Sequence, residues 1–184
     1  MSELSSKARK GAKQSPSLKA RALRLLSLRE YSRKGLAAKL AESETRWAKL
    51  AKNESDADLD ADHNIAPVKS TALDIEVILD DFEARGWLSD DRFAEALMRR
   101  RSERYGTRKI QDELERAGVD SSKSAQLLKT LKETEYQRAY ELWSRKFGSL
   151  AQEQKERARQ YRFLASKGFS SDVVSKVIGG QGQD

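Results

Sequence analysis

Tyr105-Gly106-Thr107-Arg108-Lys109-Ile110-Gln111-Asp112-Glu113-Leu114-Glu115-Arg116-Ala117-Gly118-Val119 spells out one helix with both of its ends. Ile110, Leu114 and Ala117 fall at i, i+4 and i+7, the spacing that lines one helical face with apolar groups. Gly106-Thr107 restarts the chain ahead of them, and Gly118 is suited to close the helix in a left-handed turn. The same spelling recurs. Tyr31-Ser32 keeps the spacing to Leu36 and Leu40 that Tyr105-Gly106 keeps to Ile110 and Leu114. Leu114-x-x-x-Gly118-Val119 returns as Leu164-x-x-x-Gly168-Phe169, each followed by serines that can cap the next helix.

Outward from this stretch the chain reads as helix throughout. A first helix over 17–29 carries Leu18, Ala22, Leu25 and Leu26. A second, capped by Ser32, carries Leu36, Ala37, Leu40 and Ala41, with room to continue through Trp47, Leu50 and Ala51. Ile75, Ile78, Leu79 and Phe82 define a third, ended by Gly86. Ser89-Asp90-Asp91 caps a fourth with Phe93, Ala94, Leu97 and Met98. Beyond the quoted helix, Ser121-Ser122 opens one with Ala125, Leu128 and Leu131. Tyr136, Tyr140, Trp143 and Phe147 mark a seventh as core, Ala158, Tyr161 and Leu164 an eighth, and Val173, Val174, Val177 and Ile178 a ninth. No segment alternates with period two, so the fold class is all-α. Nine helices in three similar sets predict three tandem three-helix repeats stacked into an elongated body.

The implied boundaries are a disordered basic tail over 1–16, modules over 17–88, 89–132 and 133–179, and a frayed tail over 180–184. The first module departs from the pattern. Glu44 stands where glycine is expected, and an insertion over about 43–70 follows. Within it, 53–64 is an acidic low-complexity loop holding the only histidine, His63. Asp56, Asp58, Asp60 and Asp62 imitate the start of a calcium loop, but Ala61 and Pro67 occupy the positions that need Gly and Glu. The third module has its own insertion near 149–156.

Composition narrows the function classes. Apolar residues are 38% and charged residues 35% of the 184, so thin modules with much surface fit better than one deep core. With no cysteine and one histidine, disulfides, thiolate metal sites and cysteine nucleophiles are excluded. No apolar run approaches the roughly 20 residues that span a bilayer. Residues 1–14 lack an apolar signal core, which predicts a cytoplasmic protein. No nucleophile with a base, phosphate-cradling loop or ligand cluster appears, and the reading is a non-enzyme without cofactor or metal. No long exposed heptad is visible, which favours a monomer.

Charge points to the partner class. Residues 1–40 carry 11 Lys/Arg against 2 Asp/Glu, 41–66 carry 3 against 7, and 67–184 carry 22 against 20, for a net charge of +7. That excess suits a polyanion, or a protein assembled on one. The densest cluster is Arg99, Arg100, Arg101, Arg104, Arg108 and Lys109. Arg100 and Arg104 would share a helical face at i, i+4. Arg108 and Lys109 lie in a first helical turn, where the dipole disfavours cations, which hints at an anionic partner, DNA phosphates or an acidic filament surface. The plain alternative is a solvated face. Arg29 and Arg33 belong to a second basic region that, with Lys7, Arg9, Lys10 and Lys13, reads equally as a DNA-binding arm or a solubility element.

Four motifs in order resemble one family. Leu88-Ser89-Asp90-Asp91-Arg92-Phe93-Ala94 and Gly106-Thr107-Arg108-Lys109-Ile110-Gln111-Asp112-Glu113-Leu114 are similar to hallmarks of the bacterial regulatory protein RecX family. So is Phe163-Leu164-Ala165-Ser166-Lys167-Gly168-Phe169-Ser170, and 20–40, with Arg29-Glu30-Tyr31-Ser32, looks like the family's first module. The resemblance covers roughly 18–178. It implies a curved three-repeat body that binds the RecA recombinase filament and, weakly and without sequence preference, single-stranded DNA. Extension of the filament would be blocked or its disassembly promoted, with RecA's ATP hydrolysis, strand exchange and co-protease activity in DNA repair and the SOS response reduced. The candidate partner-binding residues are Arg29, Arg33, Arg92, Arg99, Arg100, Arg104, Arg108, Lys109 and Lys167. Lys167 stands where the family often has Arg, which weakens a two-pronged contact there.

Two rivals remain. Residues 110–128 have the outline of a helix-turn-helix, but the supposed recognition helix, 121–131, offers a groove only Lys123 and Lys129. A helical adaptor that binds proteins alone is the other.

Overall fold

A computed structural model describes residues 16–57 and 72–180. These form nine helices: α1 (Leu18–Leu28), α2 (Arg33–Ala57), α3 (Ala72–Ala84), α4 (Asp90–Arg101), α5 (Thr107–Arg116), α6 (Ser121–Glu133), α7 (Glu135–Phe147), α8 (Gln154–Ser166) and α9 (Ser171–Ile178). No strand occurs among the described residues, and no helix there is long and apolar enough to cross a membrane.

Three separate cores sit in a row, one per set of three helices. Leu18 and Ala22 of α1 meet Leu36 and Leu40 of α2, with Ile75, Leu79 and Phe82 of α3. Ala94 and Leu97, Ile110 and Leu114, and Leu128 and Leu131 make the second. Ala139 and Trp143, Leu164, and Val174 and Val177 make the third. The second and third sets turn alike between their second and third helices. Gly118 and Gly168 take φ of +80° and +85°, the region where a Cβ is strained. The next residue folds back, Val119 N–H donating to Leu114 O at 3.1 Å and Phe169 N–H to Leu164 O at 3.4 Å. In the third core Gln160 occupies the place Ile110 has in the second. It is buried yet satisfied, accepting from Trp143 Nε1 at 2.9 Å and donating to Ser149 O at 3.2 Å.

Neighbouring modules are joined by one device used twice. In the first and second modules, the start of the second helix receives a carboxylate from the residue that opens the first helix of the next module. Arg33 N–H donates to Asp90 Oδ1 at 2.8 Å, and Thr107 N–H to Glu135 Oε1 at 2.9 Å. Each carboxylate answers unpaired N–H groups and the positive end of a helix dipole. The next module's glycine turn is seated on the same spot. Ser32 Oγ donates to Ala117 O at 2.7 Å, and Gly106 N–H to Lys167 O at 3.0 Å. Ser32 Oγ also caps its own helix, accepting from Gly35 N–H at 3.0 Å.

Arg138 of α7 ties the second joint further. Its guanidinium donates to Ser102 O at 2.8 Å, Tyr105 O at 2.7 Å and Leu131 O at 2.8 Å. Burial pulls its pKa below the ordinary arginine value, and nearby Glu135 opposes that pull.

Several expectations need correction. Helix α2 runs to Ala57, so 53–57, expected as the start of an acidic loop, is helical; the rest of that loop, including His63, lies outside the described residues, as do 1–15 and 181–184. The physical reason is Glu44: without glycine the helix has no stop, and Arg21 of α1 clamps the continuation by pairing with Glu44 and donating to Ser43 Oγ at 2.7 Å. The cap of α6 is Asp120, which accepts from Ser122 N–H at 2.7 Å, not the serines. Its buried face uses Ser124, and Ala125 is exposed.

Candidate polyanion interface

Helix α4 ends in Arg99, Arg100 and Arg101, where cations favour the negative end of the helix dipole. Arg104 lies beyond that end. It therefore does not share a helical face with Arg100, contrary to the spacing argument. Arg99 makes a loose pair with Glu95 at 3.7 Å, and Arg100 Nε donates to Ala96 O at 3.2 Å. Both remain exposed, as do Arg104 and Arg108. Arg101 joins α4 to α5 through Glu113 at 3.0 Å. The anion that the first turn of α5 called for is internal: it is the buried carboxylate of Glu135.

Three lysines are held in another way. Lys109 Nζ lies 4.6 Å from the centre of the Tyr105 ring, and Lys167 Nζ lies 5.4 Å from the same ring. Lys167 also lies 5.6 Å from the Phe163 ring, which Lys146 approaches to 4.7 Å. Phe163 in turn stands edge-on to Phe147, 5.5 Å between centroids. The order is Lys109, Tyr105, Lys167, Phe163, Lys146. It crosses the joint from α5 of the second module to α7 and α8 of the third. None of these lysines has an ion-pair partner among the described residues. Lys146 was not among the sequence candidates. Its only signal is its place beside Phe147 in a last helical turn, and that stripe read as core.

The other candidates fall at the first joint. Arg33 is absorbed by the acidic edge of α3, contacting Glu76 at 2.5 Å, Asp80 at 2.7 Å and Glu83 at 2.6 Å. Bonds to Asp80 and then Glu76 raise its pKa above the ordinary arginine value. Arg92 pairs with Glu30 at 3.0 Å and donates to Trp87 O at 2.9 Å. Arg29 stacks over Tyr31, 4.5 Å from its centre. The three carboxylates around Arg33 are well exposed, so water and salt screen them. Arg33→Gln is expected to lower stability by no more than about 1 kcal/mol. Denaturation at low and high salt should show that loss vanishing at high salt; a larger, salt-independent loss would contradict the screening argument.

Comparison with known proteins places this geometry. The family models described as the second and third three-helix domains of RecX match residues 89–128 and 133–178. A Regulatory protein RecX from Leptothrix cholodnii is 40% identical over 162 residues, 88% of this chain and 87% of the relative. That of Herminiimonas arsenicoxydans is 41% identical over 167 residues, 91% and 94% of the two chains. The crystal structure of RecX from Lactobacillus salivarius superposes with a TM-score of 0.60 at 18% identity, covering 89% of this chain and 93% of the other. The repeated cores, the twice-used joint and relatives matched along most of their length agree: this chain belongs to the RecX family of regulatory proteins.

Proposed function

We propose that the protein is a negative modulator of RecA recombinase. It binds the RecA–single-stranded DNA filament and blocks its extension or promotes its disassembly. The observation that carries this reading is the placement of Lys109 and Lys167, without an ion-pair partner among the described residues, across the joint of the second and third modules, on two bodies locked by Glu135 and Arg138. A cationic surface of fixed shape suits a regular, negatively charged assembly better than a loose basic tail does. Arg99, Arg100, Arg104, Arg108, Lys109 and Lys167 are the contacts. The helix-turn-helix rival is less supported. The face of α6 that carries Ser124, Leu128 and Leu131 is buried, and Asp120 places a carboxylate at its leading end, where a groove-reading helix meets phosphates.

The test is RecA's ATP hydrolysis on single-stranded DNA, titrated with this protein before and after filament assembly. Inhibition well below one protein per RecA is expected. Action only near stoichiometric amounts would replace action at ends or junctions with coating of the filament. No effect on the cognate RecA would refute the reading.

A further inference from the structure

We propose that the outer face of α3 is a docking surface for the basic segment 1–15 of the same chain. Helix α3 is apolar on two sides. Ile75, Leu79 and Phe82 fill the first core. Leu73 and Val77, one turn apart, fall on the opposite side of the helix and are 72% and 60% exposed. A helix whose far side only meets water carries polar groups there. Around this pair α3 carries Asp74, Glu76, Asp80, Asp81 and Glu83, and no Lys or Arg. Glu76, Asp80 and Glu83 share the single guanidinium of Arg33, so that edge keeps an excess of negative charge. Two large apolar groups among acids suit a chain segment that is basic and carries small apolar groups of its own.

The segment ahead of α1 has that chemistry. Residues 1–15 hold Lys7, Arg9, Lys10 and Lys13 against Glu3. Leu4, Ala8 and Ala12 recur at every fourth position, the interval that separates Leu73 from Val77. The segment also joins the fold at the right place. Lys19 Nζ donates to Asp81 Oδ2 at 2.8 Å and lies 6.0 Å from the centre of the Phe82 ring, so α1 begins beside the second half of α3. From Asp81 back to Leu73 is about 12 Å along the helix axis. A segment of this length can reach up to about 50 Å. Tethering gives it an effective concentration in the millimolar range, so a weak contact is populated and any free competitor is at a disadvantage. The docking needs neither RecA nor the cations of the second joint, so it can fail while the filament reading stands, and the reverse.

The experiment is paramagnetic relaxation in the full chain. With no native cysteine, Ser5→Cys takes a single nitroxide label. At low salt the amide signals of 73–84 are expected to broaden, and those of α9 to keep their intensity. The broadening should be lost near 1 M salt, where the Debye length falls to about 3 Å. It should also be lost in a variant carrying Leu73→Ser and Val77→Ser; both side chains lie outside the core, so its melt should match that of the parent. A third variant, Lys7→Gln with Lys10→Gln and Lys13→Gln, leaves α3 untouched and should abolish the broadening equally. Sharp signals over 73–84 in the labelled parent would overturn the docking. Broadening that survives either variant would overturn it too, since the apolar pair and the cations are both required. Broadening seen only between a nitroxide-labelled chain and a separate isotope-labelled chain would assign the face to a second copy and overturn the segment's own chain as the occupant.

Discussion

Gly106→Ala is expected to unseat the second module from the third. The backbone at Gly106 has φ −73° and ψ 167°, which alanine adopts freely, so any cost comes from the added methyl alone. A Cβ there would lie 2.2 Å from Gly168 O and 2.3 Å from Phe169 N. Both are backbone atoms of a turn that cannot rotate aside. Relief requires the two modules to part, which breaks the Gly106–Lys167 and Thr107–Glu135 bonds together. Overpacking of this kind costs about 3 kcal/mol. In a chain of this length that lowers the midpoint of thermal unfolding by roughly 10 °C. Gly86→Ala is the control: φ is +68° but nothing lies within 4 Å, so only the backbone cost of about 1–2 kcal/mol should appear. Circular dichroism melts of the two variants decide the matter. Equal shifts would show that the close approach of turn and helix start does not matter. Because Lys109 and Lys167 stand on opposite sides of that contact, Gly106→Ala should also weaken polyanion binding without altering a charge.

The second large effect is at Arg138. Arg138→Met keeps much of the side chain's length but leaves Ser102 O, Tyr105 O and Leu131 O without their guanidinium donor. Stripping partners from partly buried carbonyls should cost about 3 kcal/mol. Arg138→Lys should recover only part of this, since an ammonium cannot serve three divergent carbonyls with the planar fork of arginine. Unlike the loss at Arg33, this one should persist at high salt, because its partners are carbonyl dipoles inside a joint. Denaturant titrations at two salt concentrations separate the cases. A loss at Arg138 that salt removes would mean that its pairing is electrostatic and exposed.

The contrast between Arg33 and Arg138 marks the limit of what the sequence discloses. Local patterns were legible: the apolar spacing of Ile110 and Leu114, the glycine turns at 118 and 168, and the echo of Tyr31-Ser32 in Tyr105-Gly106 all describe contacts within a few residues. The joints were not. Asp90 and Glu135 each open a helix, where an acid reads as a partner of its own dipole, yet each reaches a helix start in the preceding module. Arg33 reads as a free surface cation because its three carboxylates lie on α3, across an acidic segment with no pattern. Lys146 escapes for a similar reason: what gives it meaning is a ring on another helix. The face of α6 was misread by one position because serine can be buried when its hydroxyl finds a carbonyl, as Ser124 does at Asp120 O, 3.2 Å.

The joint has two halves, and the ends of the row lack them. Helix α1 opens on Leu18, with no carboxylate to offer, and α2 runs on past the place of the glycine turn. At the far end α8 opens on Gln154 behind Glu153, without the Tyr-Ser or Tyr-Gly pair that receives a turn. Among the described residues, then, neither end of the row carries the half of the joint that a neighbouring module would complete. If copies line up along a long polymeric target as proposed, this coupling is not what would link one to the next, and occupancy by independent sites is the expected outcome.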